Sequence, residues 1–273
     1  SSESMEGNYY HAPNDPAVVH RFALEEDGYG HVTKAADVYY PRRGGDPMTL
    51  RVTIAVSDYI NETQAYGQTG LYVSGLCYQS RKYEMNGAKP GLVRGRAAYF
   101  TLEQLAEQSA RAFEDTAAYG QAFDGDAEQM RLYAWERSCF WDDAQENALA
   151  PGAAGRRMLL HHKEEAVYPD SYAAEVYGPY FADDASRRAY LKRDAGLGWS
   201  DGYWWNTQAV CYYYKEEDQM FYLPYKEEDG FLEQDTCVHS RREAAYDTYG
   251  MFPVVYRSWA GEGSVCEIHA QVD

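Results

Sequence analysis

Aromatic rings outnumber aliphatic side chains in this sequence, and that limits the kind of core it can build. Tyr, Phe and Trp number 27, 9 and 6, giving 42 rings against 34 Leu, Ile and Val in 273 residues. So few aliphatics, with a formal net charge of −18, ordinarily mark a chain that cannot offset the entropy of folding. Each ring, however, buries on the order of 150–250 Å². Aromatic area replaces the missing aliphatic area, so the chain is expected to fold around a core that is partly tyrosine. A buried tyrosine hydroxyl needs a partner and an exposed one has water, so many of the rings should lie flat at the surface. Arg outnumbers Lys 18 to 7; Tyr and Trp with Arg favoured over Lys is the bias of recognition surfaces.

The acidic balance, 43 acidic against 25 basic residues, repels phosphate backbones and anionic headgroups, so no nucleic-acid partner is expected. No window approaches the roughly 18 apolar residues of a bilayer span, so no transmembrane segment is expected. The opening SSESMEGNYYHAPNDP is polar and Pro-containing and reads as a flexible tether over residues 1–16. A single globular domain should follow over 17–273, with a subdomain boundary in the loop 142–155 (DDAQENALAPGAAG). A start on Ser-Ser fits a chain trimmed just past a lipid-bearing cysteine. The expected location is therefore extracytoplasmic, secreted or on the cell surface, with a lipid anchor ahead of Ser1. Cys77, Cys139, Cys211, Cys237 and Cys266 form no CxxC pair, so structural zinc is not expected. Their odd number leaves at least one free thiol, and spacing does not choose pairs among the rest.

Strand signals dominate the chain. VVHRFAL (18–24), HVTKAADVYY (31–40) and TLRVTIAVS (49–57) alternate or carry β-branched residues, and Asp27-Gly28 is a hairpin turn between the first two. Residues 71–78, MRLYAWERSCFW (130–141), the segment around HHKEE (161–165), FPVVYRSW and SVCEIHAQV also read as strands. TLEQLAEQSARAFEDTAAYG (101–120) reads as a helix with a Thr101–Gln104 capping box, DDASRRAYLKRDAG (183–196) as a short helix, and SRREAAYDTYG (240–250) as a helical turn or two. The expected fold class is α+β: a largely antiparallel sheet built from hairpins, with two or three helices packed on one side.

VCYYYKEEDQMFYLPY (210–225) reads as an aromatic hairpin looping at 216–219, with Tyr214 facing Phe221, Tyr212 facing Leu223 and Val210 facing Tyr225. Those six make an apolar core face; Tyr213 and Tyr222 pair on the other. Counting back by twos along an unbroken strand puts Trp205 on the Tyr213 face, with Tyr203 continuing it. Tyr203, Trp205, Tyr213 and Tyr222 are thus the candidate ligand-binding residues, a stacking platform for a glycan, peptide or lipid.

Catalytic signals are absent. HHKEE lacks the HExxH pattern; on a strand, His162 and Glu164 share one face and His161, Lys163 and Glu165 the other, which reads as a solvated strand and not a metal site. Asp201, ahead of GYWWN, would suit a sugar cleft, but Asp-Gly more commonly makes a turn. FDGDAE (123–128) lacks the ligand spacing of a calcium loop. Cys139 and Cys211 read as small buried residues. No catalytic residue, cofactor or metal ligand is assigned. The functional expectation is an exported, surface-anchored, non-catalytic bacterial binding protein with an aromatic-lined cleft. The alternatives are a glycan-acting hydrolase using a carboxylate pair and a purely structural surface protein.

Overall fold

The structure is a computed structural model that describes residues 2–9, 14–42, 50–61, 73–93, 96–97, 99–215, 222–230, 239–247, 252–259 and 265–269. Two compact units divide the chain, Ser1–Trp135 and Glu136–Asp273. The division falls inside a strand, not in the 142–155 loop.

In the first unit five antiparallel strands run in chain order: β1 (Glu3–Asn8), β2 (Ala17–Glu26), β3 (Val32–Tyr40), β4 (Arg51–Ile60) and β5 (Leu76–Asn86). A short pair follows, β6 (Leu92–Val93) with β7 (Arg96–Ala97), and then helix α1 (Leu102–Glu114). Strand β8 (Gln129–Phe140) begins in this unit, beside β5. Register explains the core. Val38 sits across from Val52 and Val52 across from Met85, while Phe22, Ala36 and Ile54 line up in the next row. All six are buried, because alternation sends every second side chain to the same face. Helix α1 lays Leu105 and Ala112 into that cluster, and its Thr101–Gln104 capping box forms as expected.

The stretch expected to be a flexible tether contains β1. Its six residues pair along β2 from Glu3↔Phe22 to Asn8↔Ala17, and Glu3 Oε1 reaches the buried His20 Nε2 at 2.7 Å. Every β1 side chain is exposed, so polar composition alone concealed it. The β2–β3 turn closes at Asp27-Gly28. The Asp27 carboxylate accepts from the N–H groups of Tyr29 and His31, both at 2.9 Å, from His31 Nδ1 at 3.0 Å and from Asn61 Nδ2 at 2.5 Å. Gly75 N–H in turn donates to Asn61 Oδ1 at 2.8 Å. At φ +73°, a Cβ on Gly75 would stand 2.4 Å from His31 Nε2, so only glycine fits there.

In the second unit the far half of β8 pairs with β9 (Leu160–Pro169). Helices α2 (Asp170–Tyr177) and α3 (Asp184–Arg193) come next, then β10 (Gly198–Ser200) and β11 (Tyr203–Thr207). β11 pairs with β9 on one side and β10 on the other. Asp170 joins α2 to its surroundings: its Oδ1 accepts from Trp204 Nε1 at 3.0 Å and from Arg187 Nη1 at 2.9 Å, and its Oδ2 pairs with Arg188. Ala173, Leu191 and Trp204 are buried there together. A five-stranded antiparallel meander completes the unit: β12 (Val210–Tyr213), β13 (Pro224–Gly230), β14 (His239–Tyr246), β15 (Pro253–Trp259) and β16 (Val265–His269).

Mostly antiparallel sheet with three helices among the described residues agrees with the α+β expectation. The helices are few and are not clearly packed on one side: α1 belongs to the first unit and α2 and α3 to the second. Residues 240–246 form strand, not helix. Arg241 lies across from Trp259 and Glu243 from Arg257, and cross-strand partners of that kind override the helix preference of Arg, Glu and Ala. The aromatic hairpin is also out of its expected register. Val210 faces Glu228, Tyr212 faces Lys226 and Tyr213 faces Pro224, which shifts Tyr225 away from Val210; Phe221 lies outside the described residues. Nor does one strand run from Trp205 to Tyr213, because β11 and β12 belong to different sheets.

Candidate functional site

Two strands bring the chemistry of the second unit together. On β8, Arg137 and Cys139 point to one face; on β9, Glu164 sits directly across from Arg137 and His162 across from Cys139. Four functional side chains therefore share one patch of one sheet face. The next strand adds Trp205, whose position lies across from Ala166 of β9. The tight connection of β10 to β11 adds Ser200 and Asp201. Asp201 and Gly202 have φ of +53° and +77°, the left-handed pair of a two-residue hairpin, so Asp-Gly here makes the turn and also delivers a carboxylate.

Arg137 is the centre of the patch and is only 8% exposed. Its Nε donates to Glu164 Oε2, its Nη1 to Asp201 Oδ2 at 2.7 Å and its Nη2 to Ser200 Oγ at 2.5 Å. The guanidinium also lies 3.7 Å from the centroid of the Trp205 ring, a cation–π stack in a nearly dry setting. Two carboxylates and one planar fork satisfy one another. Both carboxylates face the same cation, so the pair is organised as an ion network and not as the acid and base of a hydrolase.

Beside it lies a thiol–imidazole–carboxylate group. Cys139 Sγ is 4.0 Å from Glu164 Oε2, and His162 Nε2 is 3.4 Å from Glu164 Oε1. Burial, and then the neighbouring Glu164 charge, push the Cys139 thiol up to about 11, with Arg137 offsetting only part. It is therefore a thiol at neutral pH and a poor nucleophile. Burial also pushes the Glu164 carboxyl up, but hydrogen bonds from His162 and Arg137 outweigh it and hold the group below its ordinary value. Register slips between Cys139 and Phe140, whose partners are His162 and Leu160; His161 is the extra residue of that bulge. It turns against His162, Nδ1 to Nδ1 at 2.6 Å, and against Trp141, ring centroids 4.1 Å apart. Burial and the adjacent His162 lower its pKa to about 4, so His161 is neutral.

The four aromatic residues singled out by the sequence are not drawn into one platform. Trp205 is fully buried beneath Arg137. Tyr203 begins the same strand half-buried. Tyr213 is half-buried on β12, where burial, then Cys211, push its hydroxyl up to about 12 against a hydrogen bond with the Leu160 main chain. Tyr222 stands at φ +61° under the Arg157 guanidinium, 4.1 Å from its ring centroid. An aromatic-lined cleft does occur, in the first unit and with other tyrosines. It encloses about 620 Å³ among Tyr9, Pro16, Val18, Tyr40, Leu50 and Tyr99. Tyr40 meets Tyr99 edge-on at 4.7 Å, and its hydroxyl accepts from the Phe100 N–H at 2.8 Å. Alternation along β3 placed Tyr40 toward the core; nothing in the sequence brought Tyr9 and Tyr99 to it.

Among the described residues no helix is long and apolar enough to cross a membrane, and Cys77, Cys139, Cys211 and Cys266 are unpaired thiols. Residues 1–86 match the sequence model of a family described as the insecticide toxin TcdB middle/C-terminal region. No curated protein matches the chain. Among solved structures, the fold is similar to a chain of the crystal structure of TcdB2-TccC3-Cdc42. That similarity has a TM-score of 0.54 at 16% identity and covers 94% of this chain but 13% of the other. It is equally similar to a chain of the Photorhabdus luminescens Tc holotoxin pore carrying a TccC3 variant. There the TM-score is 0.54 at 17% identity, over 89% of this chain and 12% of the other. The chain thus spans about an eighth of the length of the solved chains it resembles.

Proposed function

We propose that this chain is a scaffold segment of a large exported toxin-complex polypeptide, non-catalytic in itself, whose partners are protein. The observation that carries this reading is the fold similarity over 94% of the chain to a single, much longer chain of a toxin assembly. The TcdB-type match over residues 1–86 supports it from sequence. The chemistry of the second unit agrees: the carboxylates of Glu164 and Asp201 are both engaged by Arg137, and the buried thiol is protonated. A body of meandering sheet, tied by cross-strand ion pairs, is suited to holding shape within an assembly. A glycan, peptide or lipid ligand and a carboxylate-pair hydrolase draw no support from these likenesses. The toxin likeness and the acidic, Lys-poor composition support an extracytoplasmic location; surface anchoring draws no support from them.

A chimera tests the reading. The matched stretch of the TcdB2–TccC3 polypeptide is replaced by this chain, and the product is examined by light scattering and electron microscopy. The expected result is a particle of unchanged mass and outline. A chimera that expresses yet falls apart, while this chain alone stays folded with an unaltered melting temperature, overturns the proposal.

A further inference from the structure

We propose that Cys139, His162 and Glu164 form a binding site for a zinc-class divalent metal ion that fastens β8 to β9. Each offers one ligating atom, and the three atoms lie within 4.8 Å of one another. A tetrahedral ion with bonds of about 2.0–2.3 Å sets its ligands roughly 3.3–3.8 Å apart. The 3.4 Å between His162 Nε2 and Glu164 Oε1 already meets that spacing. Cys139 Sγ stands 4.0 Å from the other oxygen of that carboxylate, Oε2, so the thiol must close on the other two ligand atoms when the ion binds. Thiolate, imidazole and carboxylate together suit zinc or cobalt and not the hard, oxygen-seeking calcium or magnesium.

A second, independent feature is the way the remaining atoms are held. Metal-ligating His and carboxylate groups generally have their other polar atom fixed by a neighbour. Here Arg137 Nε donates to Glu164 Oε2 and fixes the carboxylate with Oε1 turned toward His162 Nε2. His161 Nδ1 stands 2.6 Å from His162 Nδ1 and fixes the ring with Nε2 toward Glu164 Oε1, a contact that the ion would replace with bonds to both atoms. Binding forms bonds from the metal to Sγ, Nε2 and Oε1. The thiol proton leaves to solvent, and His162 carries its ring proton on Nδ1, where His161 accepts it. Three protein ligands leave a fourth position for water. With side chains of His162 and Glu164 only 12% and 15% exposed, the ion would be nearly enclosed.

The site goes beyond the scaffold reading and does not depend on it. The test is titration of the whole chain with Co²⁺, followed by thiolate-to-cobalt charge-transfer absorption, with Zn²⁺ as competitor. One equivalent should bind with a charge-transfer band that Zn²⁺ abolishes. C139S should lose the band, and H161F, which alters only the residue positioning His162, should weaken binding about 10–100-fold. A second variant keeps the result decisive if C139S folds poorly: with Cys77, Cys211, Cys237 and Cys266 all changed to Ser, the band should remain. Absence of a band in the wild-type chain, a band that survives in folded C139S, or its loss from the folded four-Ser variant overturns the proposal.

Discussion

Asp27 shows how much one turn residue can hold. It receives four hydrogen bonds, two from main-chain N–H groups and two from the side chains of His31 and Asn61. Burial raises its pKa, but these donors outweigh it and bring the carboxyl down to about 2. Its value in an unfolded chain is about 3.9. A carboxyl depressed by folding contributes stability that is present above the unfolded value and lost as pH falls through the folded one. The difference in melting temperature between wild type and D27N should therefore be full above pH about 4 and vanish toward pH about 2; a gap unchanged across that window would show that the turn does not hold the charge. Trp205 makes the second case at this scale. Fully buried under Arg137, it should cost about 3–5 kcal/mol when changed to Ala, read as a shifted urea midpoint. A ligand platform residue would leave that midpoint in place.

At the scale of elements, β1 is the strand on which sequence and structure differ most usefully. Removing residues 1–8 strips one ladder from the edge of β2 and takes Glu3 from His20. The loss should be roughly 1–3 kcal/mol, given about 0.5–1.5 kcal/mol net per hydrogen bond and partial compensation by water. Chemical denaturation of full-length and shortened chains decides it; equal midpoints would make the segment a tether after all. Elsewhere legibility followed the physics of local signals. Strands with β-branched alternation, such as Val52, Ile54 and Val56, and the helix opened by Thr101 and Gln104 could be read directly, because the pattern itself names the buried face. Helix α2 could not: it starts behind Pro169 with no side-chain cap. The 240–246 strand was hidden by helix-favouring residues whose partners lie on β15. The candidate site was half visible. Strand alternation put His162 and Glu164 on one face, but Arg137 and Cys139 reach them only through cross-strand register, and the bulge that turns His161 toward His162 leaves no mark in composition.

For the whole molecule, charge is the governing quantity. A net charge of −18 at pH 7 makes copies repel one another, and it disappears near the sequence pI of about 4.7. Solubility should fall to a minimum close to that pH and recover on either side. Turbidity across a pH series measures this; a minimum displaced to neutral pH would mean that apolar contact, not charge, governs association. The same charge favours a partner surface with positive potential, so association within the proposed assembly should weaken with added salt.

The division into Ser1–Trp135 and Glu136–Asp273 also decides what light can report. Five of the six tryptophans, Trp141, Trp199, Trp204, Trp205 and Trp259, belong to the second unit, and the first holds only Trp135 at its end. Indole emission will start blue where Trp204 and Trp205 are dry and move red as they meet water. It will follow the opening of one half of the chain while the other half, carrying the Val38–Val52–Met85 row, melts almost unseen. Circular dichroism of the strands records both. A tryptophan-fluorescence transition in this protein is therefore mainly a measurement of its second unit, and a gap between the two spectroscopies is the signature of the halves letting go separately.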